Sequence, residues 1–177
     1  MTDPQTTTST AGMAWLFFAL LTVANWGLYG IFLHKGQMAM HVGDGPPDPA
    51  TRWKAFLFVG IAYLIIAVIG SAIMIKVMGG DFSFTPQGMN WSLIAGAVGA
   101  VGAFGVLLAF GAAPKPTVKY VPVVMSIIFA GAPIVNALVS MSMHPPKGGF
   151  GTIPWQFYAG ILLAAAGGCL VTLFKPS

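Results

Sequence analysis

Five stretches of this chain run for some twenty residues or more with little or no charge, and that constrains the fold more than any motif does. About 20 apolar residues in a helix cross a hydrocarbon core of roughly 30 Å. Inside that core only protein or trapped water can satisfy a backbone or amide group, so a spanning segment must answer its own polar groups. The composition agrees: 56% of the 177 residues are hydrophobic and 7% are charged, where a soluble domain carries about 45–50% and about 25%. The expected fold is therefore all-α, a polytopic membrane protein with five transmembrane helices. No room remains beside the spans for a soluble catalytic domain.

In chain order the expected helices are Ala14 to Leu33, Trp53 to Val77, Trp91 to Ala112, Tyr120 to Met143 and Trp155 to Phe174. Residues 1–11 form a Thr-rich polar tail with no basic run before the first helix, so a disordered tail is expected there rather than a cleaved signal. Residues 12–177 are read as one five-helix domain. Between the first two helices DGPPDP breaks any helix. Trp53 stands at a helix edge, where an aromatic belt residue sits, and Lys54 and Lys76 can snorkel from the two ends of the second helix.

The net charge of +4 comes from single basic residues scattered between apolar runs. That is not the clustered patch of a nucleic-acid binder, so no nucleic-acid partner is expected. The charges read as topology signals instead. Lys35, Arg52, Lys54, Lys115, Lys119 and Lys175 fall on one face, and Lys76 and Lys147 on the other. The positive-inside rule then puts the N-terminus outside and the C-terminus in the cytoplasm, and the expected location is a bacterial inner membrane. The lone cysteine, Cys169, lies in the last apolar run and allows no intrachain disulfide.

Small residues recur along two helices. Gly96, Gly99, Gly102 and Gly105 come every third residue in the third helix, and Gly160, Ala164, Gly168 and Thr172 every fourth in the fifth. Such stripes let backbones approach closely. They serve either packing within the chain or a homodimer face.

The fourth helix, YVPVVMSIIFAGAPIVNALVSMSM, carries polar and kinking groups that lipid cannot answer. Pro122 and Pro133 are candidate kinks, since proline frees a carbonyl on the preceding turn. Asn136 and Ser140 share a face with Pro133. In the first helix Thr22, Asn25, Trp26 and Tyr29 also share a face, and the second helix adds Tyr63 and Ser71. Asn25, Trp26, Tyr29, Tyr63, Asn136 and Ser140 are therefore the candidate lining of a neutral cavity for an uncharged polar or amphipathic solute. The competing role is glue: both asparagines can hydrogen-bond across helix interfaces, and the aromatic rings can simply pack.

Several chemistries have no residues to carry them. No Asp, Glu or Lys lies in the middle of a span to carry protons. No histidine lies within an expected span to ligate haem, and His34 and His41 lack a third metal ligand at motif spacing. MHPPKGGFG is not a phosphate loop, and no nucleophile and base stand at motif spacing. Neither an enzyme, a metal site nor a cofactor is expected.

The last three spans, GAVGAVGAFGVLLAFGAA, VPVVMSIIFAGAPIVNALVSM and WQFYAGILLAAAGGCLVTLFKP, resemble the closing part of an EamA-type half in the drug/metabolite transporter superfamily. Pro122-Val123 matches the proline-valine pair that opens the fourth helix of such repeats. Gly167-Gly168 and Lys175 match the glycine-rich fifth helix with its basic end, and NWGLYG at Asn25 to Gly30 is similar to the opening tryptophan-glycine element. The chain departs from the pattern in the loop SMHPPKGGFGTIP, which has no acid. It also lacks the first-helix glutamate of the small multidrug exporters.

The resemblance implies an alternating-access carrier in which two five-helix halves of opposite orientation enclose a midplane site. This chain supplies one half, so the expected function is that of a half-size transporter for a small uncharged or amphipathic metabolite. It would work in the lipid bilayer as a homodimer or with a second half of opposite orientation. The alternative is a non-transporting subunit or scaffold docked through its glycine-rich helices. Because six basic residues face two, a single orientation is expected when both termini are tagged and cysteines are probed from each side. A transport-active, pure homodimer in one orientation would exclude the antiparallel arrangement.

Overall fold

The computed structural model describes residues 14–45 and 48–174. The polar tail expected at 1–11, residues 12 and 13 of the expected domain, and Lys175 lie outside the described residues. Five helices are long and apolar enough to cross a membrane: α1 (Ala14–Ala39), α2 (Thr51–Val77), α3 (Pro86–Ala112), α4 (Val121–Met143) and α5 (Trp155–Leu173). There is no strand among the described residues.

Local sequence sets each boundary. α1 runs six residues past its expected end at Leu33, because nothing in His34 to Ala39 breaks a helix; the chain turns only near Gly43, at φ 95°. Its 26 residues make about 39 Å at 1.5 Å per residue, so it overhangs a core of roughly 30 Å. Asp48 starts α2: its carboxylate accepts the Ala50 N–H at 2.9 Å, and its carbonyl accepts the Thr51 hydroxyl at 2.7 Å. Thr85 caps α3 by accepting the Gly88 N–H on its hydroxyl oxygen at 3.2 Å, with Pro86 in the first turn. α3 therefore begins five residues before the expected Trp91.

α2 is not uniform. Leu64–Gly70 forms a π-helical stretch between α-helical ends. Ile65, Ile66, Val68 and Ile69 are β-branched and crowd the preceding turn of a tight helix, and a wider turn relieves that crowding. In the loop that follows, the Asp81 carboxylate accepts the Ser83 hydroxyl and N–H, which hold it below the usual carboxylate range.

Both prolines of α4 fall inside the helix span but differ in effect. Pro122 lies in the first turn, where its missing N–H has no intrahelical partner to lose, so it starts the helix rather than kinking it. Pro133 lies inside, and the helix continues through it.

α1 packs on α2 and α4, and α3 packs on α2 and α4, closing a four-membered ring; α5 lies against α4, in the most extensive helix pairing of the fold. The buried cluster of Leu33, Ala55, Val106, Leu107, Phe110, Val121 and Met125 joins the last turns of α1 and α3 to the first turns of α2 and α4. It is a plug at one end of the ring, the end with the α1–α2 and α3–α4 connections. We label it the inner end, and the opposite one the outer end, as names for the two ends of the ring only. The first halves of α1 and α3 and the second halves of α2 and α4 hold no buried residue. Trp15, Trp91 and Trp155 are exposed near the starts of α1, α3 and α5, which share the outer face and suit an aromatic belt.

The two glycine stripes behave differently. A Cβ at Gly168 would lie 2.7 Å from the Ala130 Cβ, and one at Gly30 would lie 2.7 Å from the Met125 Cγ, so both glycines permit a close helix approach. At Gly96, Gly99, Gly102, Gly105 and Gly160 an added Cβ meets nothing within 4 Å, and Ala164 is exposed. Packing within the chain thus accounts for Gly168 and not for Gly99, Gly102 or Gly160. Gly168→Ala is expected to destabilise the fold by about 1–3 kcal/mol through overpacking. Gly99→Ala and Gly102→Ala should be neutral or gain up to about 1 kcal/mol from helix propensity. Unfolding titrations in detergent measure all three.

Candidate functional site

The side chains of α1 divide between two neighbours. Trp26 meets Phe129 of α4 edge-on, with ring centroids 6.4 Å apart, and Gly30 sits against Met125 one turn further on. The adjacent face, with Asn25, Tyr29 and Leu33, turns to α2. There it forms one wall of a groove of about 500 Å³ whose other wall is Ala55, Phe58, Val59, Ala62 and Tyr63. Trp26, Phe32, Gly36 and Met40 complete the α1 side. All of the lining comes from α1 and α2, so this is a furrow between two helices and not a chamber inside the ring.

The groove brings together Asn25, Trp26, Tyr29 and Tyr63, four of the six residues expected to line a site. It leaves out Asn136 and Ser140, which are exposed on α4 and make no side-chain hydrogen bond among the described residues. The six candidate residues therefore do not line one groove: four of them lie along a furrow between the first and second helices, and the two on the fourth helix stand apart from it. The reason is rotational: Gly30 faces α4 and Trp26 stands at the boundary, touching Phe129 of α4 while lining the groove, which leaves Asn25 toward α2.

The polar groups of the groove are partly answered. Asn25 donates its amide Nδ2 to the Leu21 carbonyl at 2.8 Å, and Thr22 donates its hydroxyl to the Phe18 carbonyl at 2.9 Å. These are bonds to the helix's own preceding turn, not bridges between helices. The Tyr29 hydroxyl is closed off from solvent and has no partner, a situation that costs about 1–3 kcal/mol for a buried donor. Its ring lies 5.5 Å from that of Trp26 at 51°. No Asp, Glu, Lys, Arg or His lines the groove.

Two groups escaped the sequence reading because α1 was expected to end at Leu33. His34 lies within the helix, edge-on to Phe110 with ring centroids 6.4 Å apart, and its Nδ1 and the Gln37 Nε2 are closed off without partners. The signal was present: His34 to Ala39 contains no proline, and its only glycine is followed by good helix formers.

A second, almost wholly apolar furrow of about 420 Å³ runs between α4 and α5 along Ala130, Ile134, Ala165, Gly168 and Cys169. Among the described residues no three His, Cys, Asp or Glu side chains stand close enough to hold a metal ion. The chain matches no protein-family model, no curated protein and no solved structure.

Proposed function

We propose that the chain is a half-size membrane carrier for a small uncharged or amphipathic solute, with the α1–α2 groove as its solute site. The observation that carries this reading is the convergence of Asn25, Trp26, Tyr29 and Tyr63 on one uncharged furrow. Aromatic faces give it contact area, and the Tyr63 hydroxyl and the Asn25 amide give it hydrogen-bonding choice. A charged solute would meet no compensating side chain there, and an ion left unpaired in a low-dielectric site is costly.

With walls on two sides only, the groove needs a further surface to enclose a solute from water during transfer. That surface belongs to a second copy or to a partner half of opposite orientation. In this reading the host membrane is a bacterial inner membrane, with the N-terminus outside.

A second reading has its own support. The open faces at Gly99, Gly102 and Gly160 leave room for another helix to approach, as a docked subunit or scaffold would need.

The two readings separate on paired variants. A stabilisation screen of uncharged and amphipathic metabolites on the purified protein identifies a compound, whose uptake is then followed in proteoliposomes. Ala62→Trp and Asn25→Leu should cut uptake by about tenfold or more, with the unfolding midpoint unchanged, while Gly99→Leu and Ala164→Leu leave uptake intact. Uptake insensitive to the groove variants, together with loss of assembly in Gly99→Leu and Ala164→Leu, would establish the scaffold instead.

A further inference from the structure

The inner end carries a cation that the chain does not answer. Arg52, in the first turn of α2, is half-buried, and its guanidinium lies over Gly111 of α3, in the space a Cβ would fill. Its Nε donates to the Pro49 carbonyl at 3.2 Å. No acid pairs with it, because the one ion pair among the described residues joins Lys54 to Asp48 at 3.8 Å. The two terminal nitrogens of the guanidinium have no hydrogen-bond partner among the described residues, and the end of the α3 dipole supplies the equivalent of only about half a charge. An anion is the missing partner.

Other basic groups come to the same helix end. Lys115 follows α3 in the α3–α4 connection, where its ammonium donates to the Thr117 hydroxyl at 3.1 Å and lies within electrostatic reach of His34. His34 in turn stands edge-on to Phe110, the neighbour of Gly111. Three elements thus bring a basic side chain to the last turn of α3.

Deeper along the α2–α3 seam the surface is aromatic and open. Arg52 and Phe56 share a face of α2, and Gly111 and Phe104 share one of α3, by their spacing. The Phe104 ring lies 4.9 Å from that of Trp53 and 6.1 Å from that of Phe56, yet Trp53 and Phe104 remain 39% and 41% exposed. Phe104 stands two turns before Gly111, about 10 Å along the helix. With helices long enough to span, the first turn of α2 and the last turn of α3 fall at the edge of the hydrocarbon core, where lipid phosphates lie. A soluble anion would use the cation and leave the aromatic ledge idle; a lipid uses both.

We propose that the inner mouth of the α2–α3 seam binds an anionic phospholipid, its phosphate on the Arg52 guanidinium and one acyl chain along Trp53 and Phe104. The planar fork of arginine matches two phosphate oxygens. Lys115 adds positive field that favours a net negative lipid over a zwitterionic one bearing the same phosphate. Binding of this kind needs the five helices to cross a membrane and is independent of transport.

The purified full chain in detergent is titrated with phosphatidylglycerol, with phosphatidylcholine of the same acyl chains and with inorganic phosphate, while the unfolding midpoint is followed by tryptophan fluorescence. A saturable rise is expected with phosphatidylglycerol, a response at least about tenfold weaker with phosphatidylcholine, and none with phosphate. Arg52→Gln should raise the half-saturating concentration of phosphatidylglycerol about tenfold, the scale of one charge-assisted hydrogen bond. Gly111→Ala keeps every charge and puts a methyl group where the guanidinium lies, so it should weaken the response as well, and it decides the matter if Arg52→Gln fails to fold. Lys54→Gln, whose ammonium pairs with Asp48, and Lys76→Gln at the outer end should leave it unchanged.

No rise in wild type, an equal rise with phosphatidylcholine or inorganic phosphate, or wild-type affinity in folded Arg52→Gln or Gly111→Ala overturns the proposal. So does an equal loss in Lys54→Gln or Lys76→Gln, which would reduce the effect to general attraction by a basic chain. Release of the reconstituted chain from vesicles by an alkaline wash overturns it together with the membrane reading.

Discussion

Lipid offers no hydrogen bonds, and a chain with five helices long and apolar enough to cross a membrane has to answer its polar groups within itself. The spans are helices because a helix satisfies its backbone internally. The same demand falls on the side chains, and three of them meet it in one way. Thr22 bonds the Phe18 carbonyl, Asn25 the Leu21 carbonyl and Thr172 the Gly168 carbonyl, each reaching back four residues along its own helix. No neighbouring helix is needed for these bonds, which leaves the polar residues free to stand beside a groove rather than lock an interface.

The second consequence concerns apolar burial. Hydrocarbon solvates leucine as well as a protein interior does, so little is gained by burying it and association depends on close packing. The ring of α1 to α4 shows this economy. Its buried cluster is confined to the inner end, centred on Leu107 and Phe110, while most large apolar side chains of the outer halves remain exposed. Helices come closest where a glycine allows it, at Gly30 against Met125 and at Gly168 against Ala130. Gly111 has a related role: the Arg52 guanidinium occupies the space a Cβ would fill, which sets a cation at the C-terminal end of α3, where the helix dipole favours it. The inner end is thus held by packing and charge together.

Hydrophobic run length made the number and order of the spans legible, and proline and turn chemistry placed most boundaries within a few residues. Errors arose where local sequence is permissive. His34 to Ala39 can continue a helix or leave it, and its polar content suggested the latter, although a helix may overhang the hydrocarbon core. The π stretch at Leu64–Gly70 had no sequence signal beyond β-branching, which is common in spans. The pairing of α1 with α2 rather than α4 at Asn25 was also hidden. Spacing tells which residues share a face, and only the contacts of Trp26 and Gly30 tell which neighbour that face meets. The glycine stripes were visible in both helices, but sequence could not say that Gly168 alone among them abuts a neighbour.

The open faces left by the single chain lie mainly on the outer halves of α3 and α4. Asn136 presents an unbonded amide on the exposed outer half of α4, and Gly96 and Gly99 on the outer half of α3 face open space. The inner end has its plug, its close helix contacts and most of its cations, with the His34 Nδ1 and Gln37 Nε2 closed off there without partners. Open outer halves are what the docked-subunit reading requires, because another helix approaches only along surfaces that are not already committed within the chain. The amide of asparagine both donates and accepts, so Asn136 can be answered by a copy of itself or by a different partner. The outer halves of α3 and α4 are therefore the faces of the single chain that another helix can approach most closely.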